Sequence, residues 1–200
     1  MPIGYPLVKA MDKDKFLSYF LLQNAFLDKR ILFLCNYEDP TDESTYIAML
    51  LYLQTENSQQ PVFFYINSAI TFPNLCFGLY DTILQLKVDI STICLGLAGG
   101  MSSLILAAGT KGQRFALPNS RIMMQEPQIE SGVNGQATDL DIEAKELADS
   151  KNILINLYHE RTGQSKIIIE KDLQRPRYFS ANAAKEYGFI DSILIPSTKS

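Results

Sequence analysis

Histidine is almost absent from this chain: His159 is the only one in 200 residues. Any Ser–His–Asp or Cys–His nucleophilic arrangement would have to use it as the base. Cysteine is nearly as scarce. Cys35, Cys76 and Cys94 are odd in number, far apart and set in apolar segments, with no CxxC pair and no Cys/His cluster. They read as reduced core residues, which argues against a disulfide framework and a zinc site. Basic runs are missing too, and the net charge is −4. That balance argues against nucleic acid or an anionic membrane as the main partner. The opening MPIGYPLVKAMDKDK has neither the basic-then-apolar layout of a secretory signal nor the Arg- and Ser-rich character of a transit peptide. The expectation is a protein that works where it is made, or a form already processed. No motif calls for a cofactor or a metal.

What is present is an ordinary globular composition, 46% hydrophobic and 20% charged, at a length that suits one domain. From Ile90 to Gly109 no charged residue occurs, a run about long enough to cross a bilayer. Ser91, Thr92, Ser102 and Ser103 dilute it, however, and it divides into a β-branched half (STIC), a glycine tract and a helix-forming half (LILAA). That pattern predicts strand, turn and helix. The same alternation runs along the chain. An amphipathic helix is expected from about Asp12 to Asp28, with Phe16, Leu17, Phe20, Leu21 and Leu27 on its apolar side. Next come the strand ILFLC (31–35), bounded by Asn36, Asp39 and Pro40, a helix around Thr45–Gln54, the strand VFFYIN (62–67) and a helix near Leu75–Leu86. Alternating strands and helices predict an α/β fold with a mainly parallel sheet. Between Gln136 and Arg161 neither glycine nor proline interrupts, and Leu140, Ala144, Leu147, Leu154 and Tyr158 recur at helical spacing. A helix of that length would reach about 38 Å at roughly 1.5 Å per residue. It either packs on the core or forms an arm reaching a second subunit.

The chemistry is sparse. His159 lies in YHERTG, in the last turn before the helix stop expected at Gly163, where an imidazolium is favoured by the helix dipole. Ser102 and Ser103 are the nearest hydroxyls to the bend at Gly100. Two or three positions along a helix rotate a side chain by roughly 200–300°, so neither inherits the direction of a residue at the bend. They read as small residues that let the helix pack closely. Asp139/Asp141 and Glu143/Glu146 read as the solvated face of the long helix. The glycine tract matches neither GxxxxGK[ST] nor GxGxxG, which argues against nucleotide binding.

The run VDISTICLGLAGGMSSLILAAGTKGQRFALPNSRIMMQEP (88–127) resembles the Clp protease proteolytic subunits. So do FFYINS (63–68), GQATDLDIEAKEL (135–147), RTGQ (161–164), IEKD (169–172) and SANAAKEYGFID (180–191), and the opening MPIG is similar to plastid and cyanobacterial members. The resemblance implies a crotonase-like, ClpP-like α/β head (about 1–130 and 165–200) with a long handle helix (about 136–161), in one domain over 1–200. It also implies assembly into two stacked rings around a closed chamber.

The departures fall on the family's reactive positions. Where members carry a nucleophilic serine in GLAASM, this chain has GLAGGM and Gly100. Their IMIHQP histidine is Gln125 in IMMQEP, and the aspartate of their EKDxxRD segment is Pro176 in EKDLQRP. Their INSPGG reads INSAIT, so Ala69, Ile70 and Thr71 replace the residues that help form the oxyanion hole, while Met101 is retained. Glycine cannot attack a carbonyl, and glutamine has no nitrogen that titrates near neutrality. The resemblance therefore implies a non-catalytic, ClpR-type subunit, with no cofactor and no metal. Its implied partners are active ClpP-type subunits in a hetero-oligomeric double ring and a ClpC-like AAA+ unfoldase. The implied location is a plastid stroma (chloroplast or cyanelle) or a cyanobacterial cytoplasm. Phe63 and Tyr65 belong either to an unfoldase dock or to plain strand packing. Two alternatives stay open: a hydrolase using Ser102 or Ser103 with His159, and a peptide-binding pseudo-enzyme.

Overall fold

The computed structural model describes residues 7–11, 17–35, 40–71, 76–128 and 135–195. Strands β1 (Leu7–Met11) and β2 (Leu17–Leu21) form an antiparallel pair, and helix α1 (Leu22–Leu27) follows. The helix expected over Asp12–Asp28 is thus corrected: its middle is a strand, only its end is helical, and Asp12 and Phe16 lie outside the described residues. Pairing with β1 supplies hydrogen bonds that local periodicity cannot anticipate, and non-local context overrides helix pattern here.

The remaining strands build one seven-stranded sheet. Strands β3 (Ile31–Cys35), β4 (Val62–Ile70), β5 (Ile90–Gly100), β6 (Arg114–Ala116) and β9 (Ser192–Ile193) are parallel and adjacent in that order. Helices α2 (Pro40–Glu56), α3 (Phe77–Gln85) and α4 (Met101–Ala108) make the crossovers between them. Asn36, Asp39 and Leu75, expected at the edges of these elements, lie outside the described residues. β5 is long enough for two neighbours on one side. Thr92–Cys94 pairs with β6, and Leu97–Gly99 pairs with β7 (Arg121–Met124), whose other edge carries the antiparallel β8 (Arg177–Ser180). The glycine tract is therefore strand, not turn, and the bend comes only at Gly100.

Every residue of α4 is buried. It packs on β4, β5 and β7 and meets α3 and α5, which explains an apolar composition all round in a helix of eight residues. Among the described residues no helix is long and apolar enough to cross a membrane. Cys76 and Cys94 are buried as expected, and burial pushes the Cys94 thiol up to about 11. Cys35 is the exception. It ends the edge strand β3 and is exposed, so its apolar sequence context misled.

The long helix α5 (Ala137–Thr162) has the expected extent. Gln136 and Asp139 form a capping box at its start, and Gly163, left-handed at φ 77°, donates its N–H to the His159 carbonyl at the end. Only its second half packs: Ser150, Leu154, Ile155 and Tyr158 are buried, whereas Leu140, Ile142 and Ala144 are exposed. Beyond it, α6 (Lys166–Leu173) and α7 (Ala181–Tyr187) start at Ser165 and Ser180, whose hydroxyls accept from the backbone three residues on.

Two arginines tie α5 to the head. Arg161 donates Nε to the Ala107 carbonyl at 3.0 Å and Nη2 to those of Ala108 and Gly109, satisfying the end of α4. Arg114 grips Asp191 with Nε and Nη2 (3.0 and 2.7 Å) and sends Nη1 to the carbonyls of Arg161 and Gly188. Burial alone would raise the Asp191 pKa. Hydrogen bonds from the Arg114 side chain and backbone, its charge and the Gly112 N–H outweigh that and hold the carboxyl below its usual value. A depressed carboxylate stabilises the fold above its unfolded pKa of about 3.9 and loses that contribution as pH falls through the folded value. The melting temperature should therefore decline between about pH 5 and pH 3, and less steeply in Asp191→Asn, whose amide does not titrate. Parallel declines in thermal melts of the two proteins would show that Asp191 is not the group responsible.

Candidate functional site

The site grows from the point where β5 meets α4. Gly100 turns the chain there at φ 54° and ψ −124°, a left-handed conformation that side-chain-bearing residues rarely adopt. A strand that bends sharply into a buried helix is the geometry that, in many hydrolases, lifts a nucleophile out of the sheet. Here the bend carries no side chain. A Cβ built on Gly100 would overlap the carbonyl oxygen of Ile70, a backbone atom, and would lie 3.5 Å from Nε2 of Gln125.

Gln125 follows β7 and is 8% exposed, and its Nε2 is buried with no hydrogen-bond partner. Met124 and Arg177 form the last pair of the antiparallel register, so Gln125 and Pro176 are the residues next beyond it, and Pro176 is exposed just before β8. The fold thus brings Gly100, Gln125 and Pro176 to one end of β5, β7 and β8. None of the three can attack, take a proton or hold a carboxylate charge.

The elbow is braced from behind by α5. Ser103 Oγ donates to the Gly100 carbonyl at 2.8 Å and lies 2.8 Å from the Tyr158 hydroxyl, itself 3.2 Å from the same carbonyl. Tyr158 is fully buried against Phe189, and burial pushes its phenol well above the ordinary tyrosine value, with the Ser103 hydrogen bond opposing. It stays a neutral donor at any physiological pH. By sequence, Tyr158 is a packing position in the helical repeat of 136–161. Its spacing carried no sign of the hydroxyl's target, which depends on how α5 docks.

The other candidates separate. Ser102 is fully buried and its Oγ has no partner, while His159 is exposed with Nδ1 2.6 Å from the Gln164 carbonyl. Neither Ser102 nor Ser103 is hydrogen-bonded to His159, so the fold does not assemble that pair. The acidic residues of α5 have local uses: Asp139 accepts from the Gln136 N–H, and Asp141 binds Lys145 one turn on. Tyr65 stacks on Phe33 with ring centroids 5.3 Å apart, and Phe63 beside it is 38% exposed. Among the described residues, no three His, Cys, Asp or Glu side chains come together as a metal site would require.

Ala69, Ile70 and Thr71 complete the picture. β4 loses register with β5 between Ile66 and Ser68, where Asn67 Oδ1 accepts from the Leu97 N–H at 3.0 Å, beside Gly96. It then resumes pairing, Ser68 with Ala98, Ala69 with Gly99 and Ile70 with Gly100. The Thr71 carbonyl accepts from the Gln128 N–H at 3.1 Å.

Comparison with known proteins agrees with this frame. The Clp protease family model matches residues 12–197. A protein of Cyanophora paradoxa, described as ATP-dependent Clp protease proteolytic subunit-like, is 83% identical over 197 residues, spanning 98% of this chain and 99% of the relative. A match that covers nearly the whole chain, on a parallel sheet with a glycine elbow and a long helix, places the protein: it belongs to the Clp protease family.

Proposed function

We propose that this chain is a catalytically inactive, ClpR-type structural subunit of an ATP-dependent Clp protease core. In this reading it sits beside active ClpP-type subunits in a double ring, forms part of the ring interface and chamber wall, and works with a ClpC-like AAA+ unfoldase. The observation that carries the reading is that Gly100 and Gln125 meet at the elbow, with Pro176 at the same end of the sheet, and that no nucleophile, base or acid is among them. The half of α5 that leaves Leu140 and Ile142 exposed suits a handle that packs on other subunits. The relative from Cyanophora, an alga with cyanelles, supports a plastid location. Neither a hydrolase built on Ser102 or Ser103 nor a peptide-binding pseudo-enzyme draws support from the geometry.

Native mass spectrometry of the complex that co-purifies with this chain from its own cells tests the proposal. The expected result is a ring containing both this subunit and relatives with an intact nucleophile, with the masses giving the stoichiometry. Recovery only as a homo-oligomer, or alone, would overturn it, because no neighbouring subunit would then supply the active sites.

A further inference from the structure

We infer that residues 68–71 are a built-in plug: the end of β4 fills the groove at the degenerate elbow and keeps a peptide strand from entering it. A peptide that binds in extended form adds itself to an exposed backbone edge and needs unpaired N–H and C=O groups there. At this elbow the side of β4 that faces β5 and the segment after β7 is taken up by the chain itself. Toward β5, Ser68, Ala69 and Ile70 pair in register with Ala98, Gly99 and Gly100. Toward the segment after β7, the Thr71 carbonyl takes the Gln128 N–H. Ser68 and Ile70 are buried at 7% and 2% exposure, so the plug is packed into the head and does not lie loosely over it.

Glycine at position 100 is part of the same device. Its missing Cβ leaves the space in which the Ile70 carbonyl sits, and its positive φ brings that backbone alongside. Gly99 contributes in the same way: a Cβ there would stand 3.0 Å from Ala69 Cβ and 3.1 Å from Met123 Cε. Gly100 therefore does more than omit a nucleophile, because it admits the strand that closes the site. These contacts lie within one chain and do not depend on whether that chain joins a mixed ring.

Amide hydrogen exchange on the full chain tests it. In the unmodified protein the amides of Ser68 and Ile70, which face β5, should exchange within about tenfold of those of Phe64 and Ile66 in the same strand. Gly100→Ser should speed exchange of the Ser68 and Ile70 amides by on the order of a hundredfold, while Phe64 and Ile66 stay protected. Rapid exchange of the Ser68 and Ile70 amides in the unmodified protein would overturn the plug, and this measurement needs no variant to fold. Unchanged protection in a folded Gly100→Ser protein would overturn the coupling to Gly100.

Discussion

Gly100→Ser, Gln125→His and Pro176→Asp together, which on the proposed reading would rebuild a serine-protease triad, leave the chain without useful peptide hydrolysis. Turnover is expected to stay within about tenfold of the unmodified protein, where a working triad is worth on the order of 10⁶. The reason is space and aim. A serine Cβ at position 100 would overlap the Ile70 carbonyl, and it must adopt φ 54° where only glycine is unstrained. Relief requires β4 to retreat from Gly100, which breaks the pairing of Ser68–Ile70 with Ala98–Gly100. A misplacement of about 1 Å in a catalytic group already costs roughly a hundredfold. The assay is cleavage of a short fluorogenic peptide by the purified variant, and by rings in which any other subunits carry alanine at their own nucleophiles. A gain of more than about a hundredfold would mean that the missing side chains alone had silenced the site.

Tyr158→Ala should be the most damaging single change to the fold around the elbow. The side chain is fully enclosed, packs edge-on to Phe189 at 5.8 Å between ring centroids, and supplies a hydroxyl to Ser103 and the Gly100 carbonyl. Deleting an aromatic ring from such a place costs about 3–5 kcal/mol, through lost burial and the cavity left behind. In a domain of this size that lowers the melting temperature on the order of 10 °C. Tyr158→Phe keeps the ring and leaves Ser103 still bonded to Gly100, so its cost is expected at about 1 kcal/mol. Calorimetric melts of both variants read the difference directly. If Tyr158→Ala were as mild as Tyr158→Phe, the packing of α5 against the elbow would not be what holds this region.

Much of the architecture was legible because it is local. ILFLC, VFFYIN and STIC are short β-rich runs, and each became a parallel strand. Gln136–Arg161 carries unbroken helical character, and α5 ran from Ala137 to Thr162. The expected helix over Asp12–Asp28 failed because the partner of Leu17–Leu21 is Leu7–Met11, a pairing that no helical period encodes. The glycine tract predicts a turn and is a strand for a related reason. Its residues accept extended geometry only because β4 on one side and β7 on the other hold them. The apolar neighbours of Cys35 predict burial, but β3 is the sheet edge and its last residue is exposed.

Sequence alone determined that chemistry here would be poor: one histidine, three scattered cysteines, and glycine, glutamine and proline at the positions that the Clp resemblance matches to a triad. Those identities need no coordinates, since a side chain without a nucleophile or base lacks it in any fold. What only the tertiary structure decided is how firmly the site is closed. Ile70 and Gly100 are thirty positions apart, and Ser103 and Tyr158 fifty-five. Whether a carbonyl fills the elbow, and which hydroxyl braces it, depends on register and docking between distant segments, which a one-dimensional pattern does not contain.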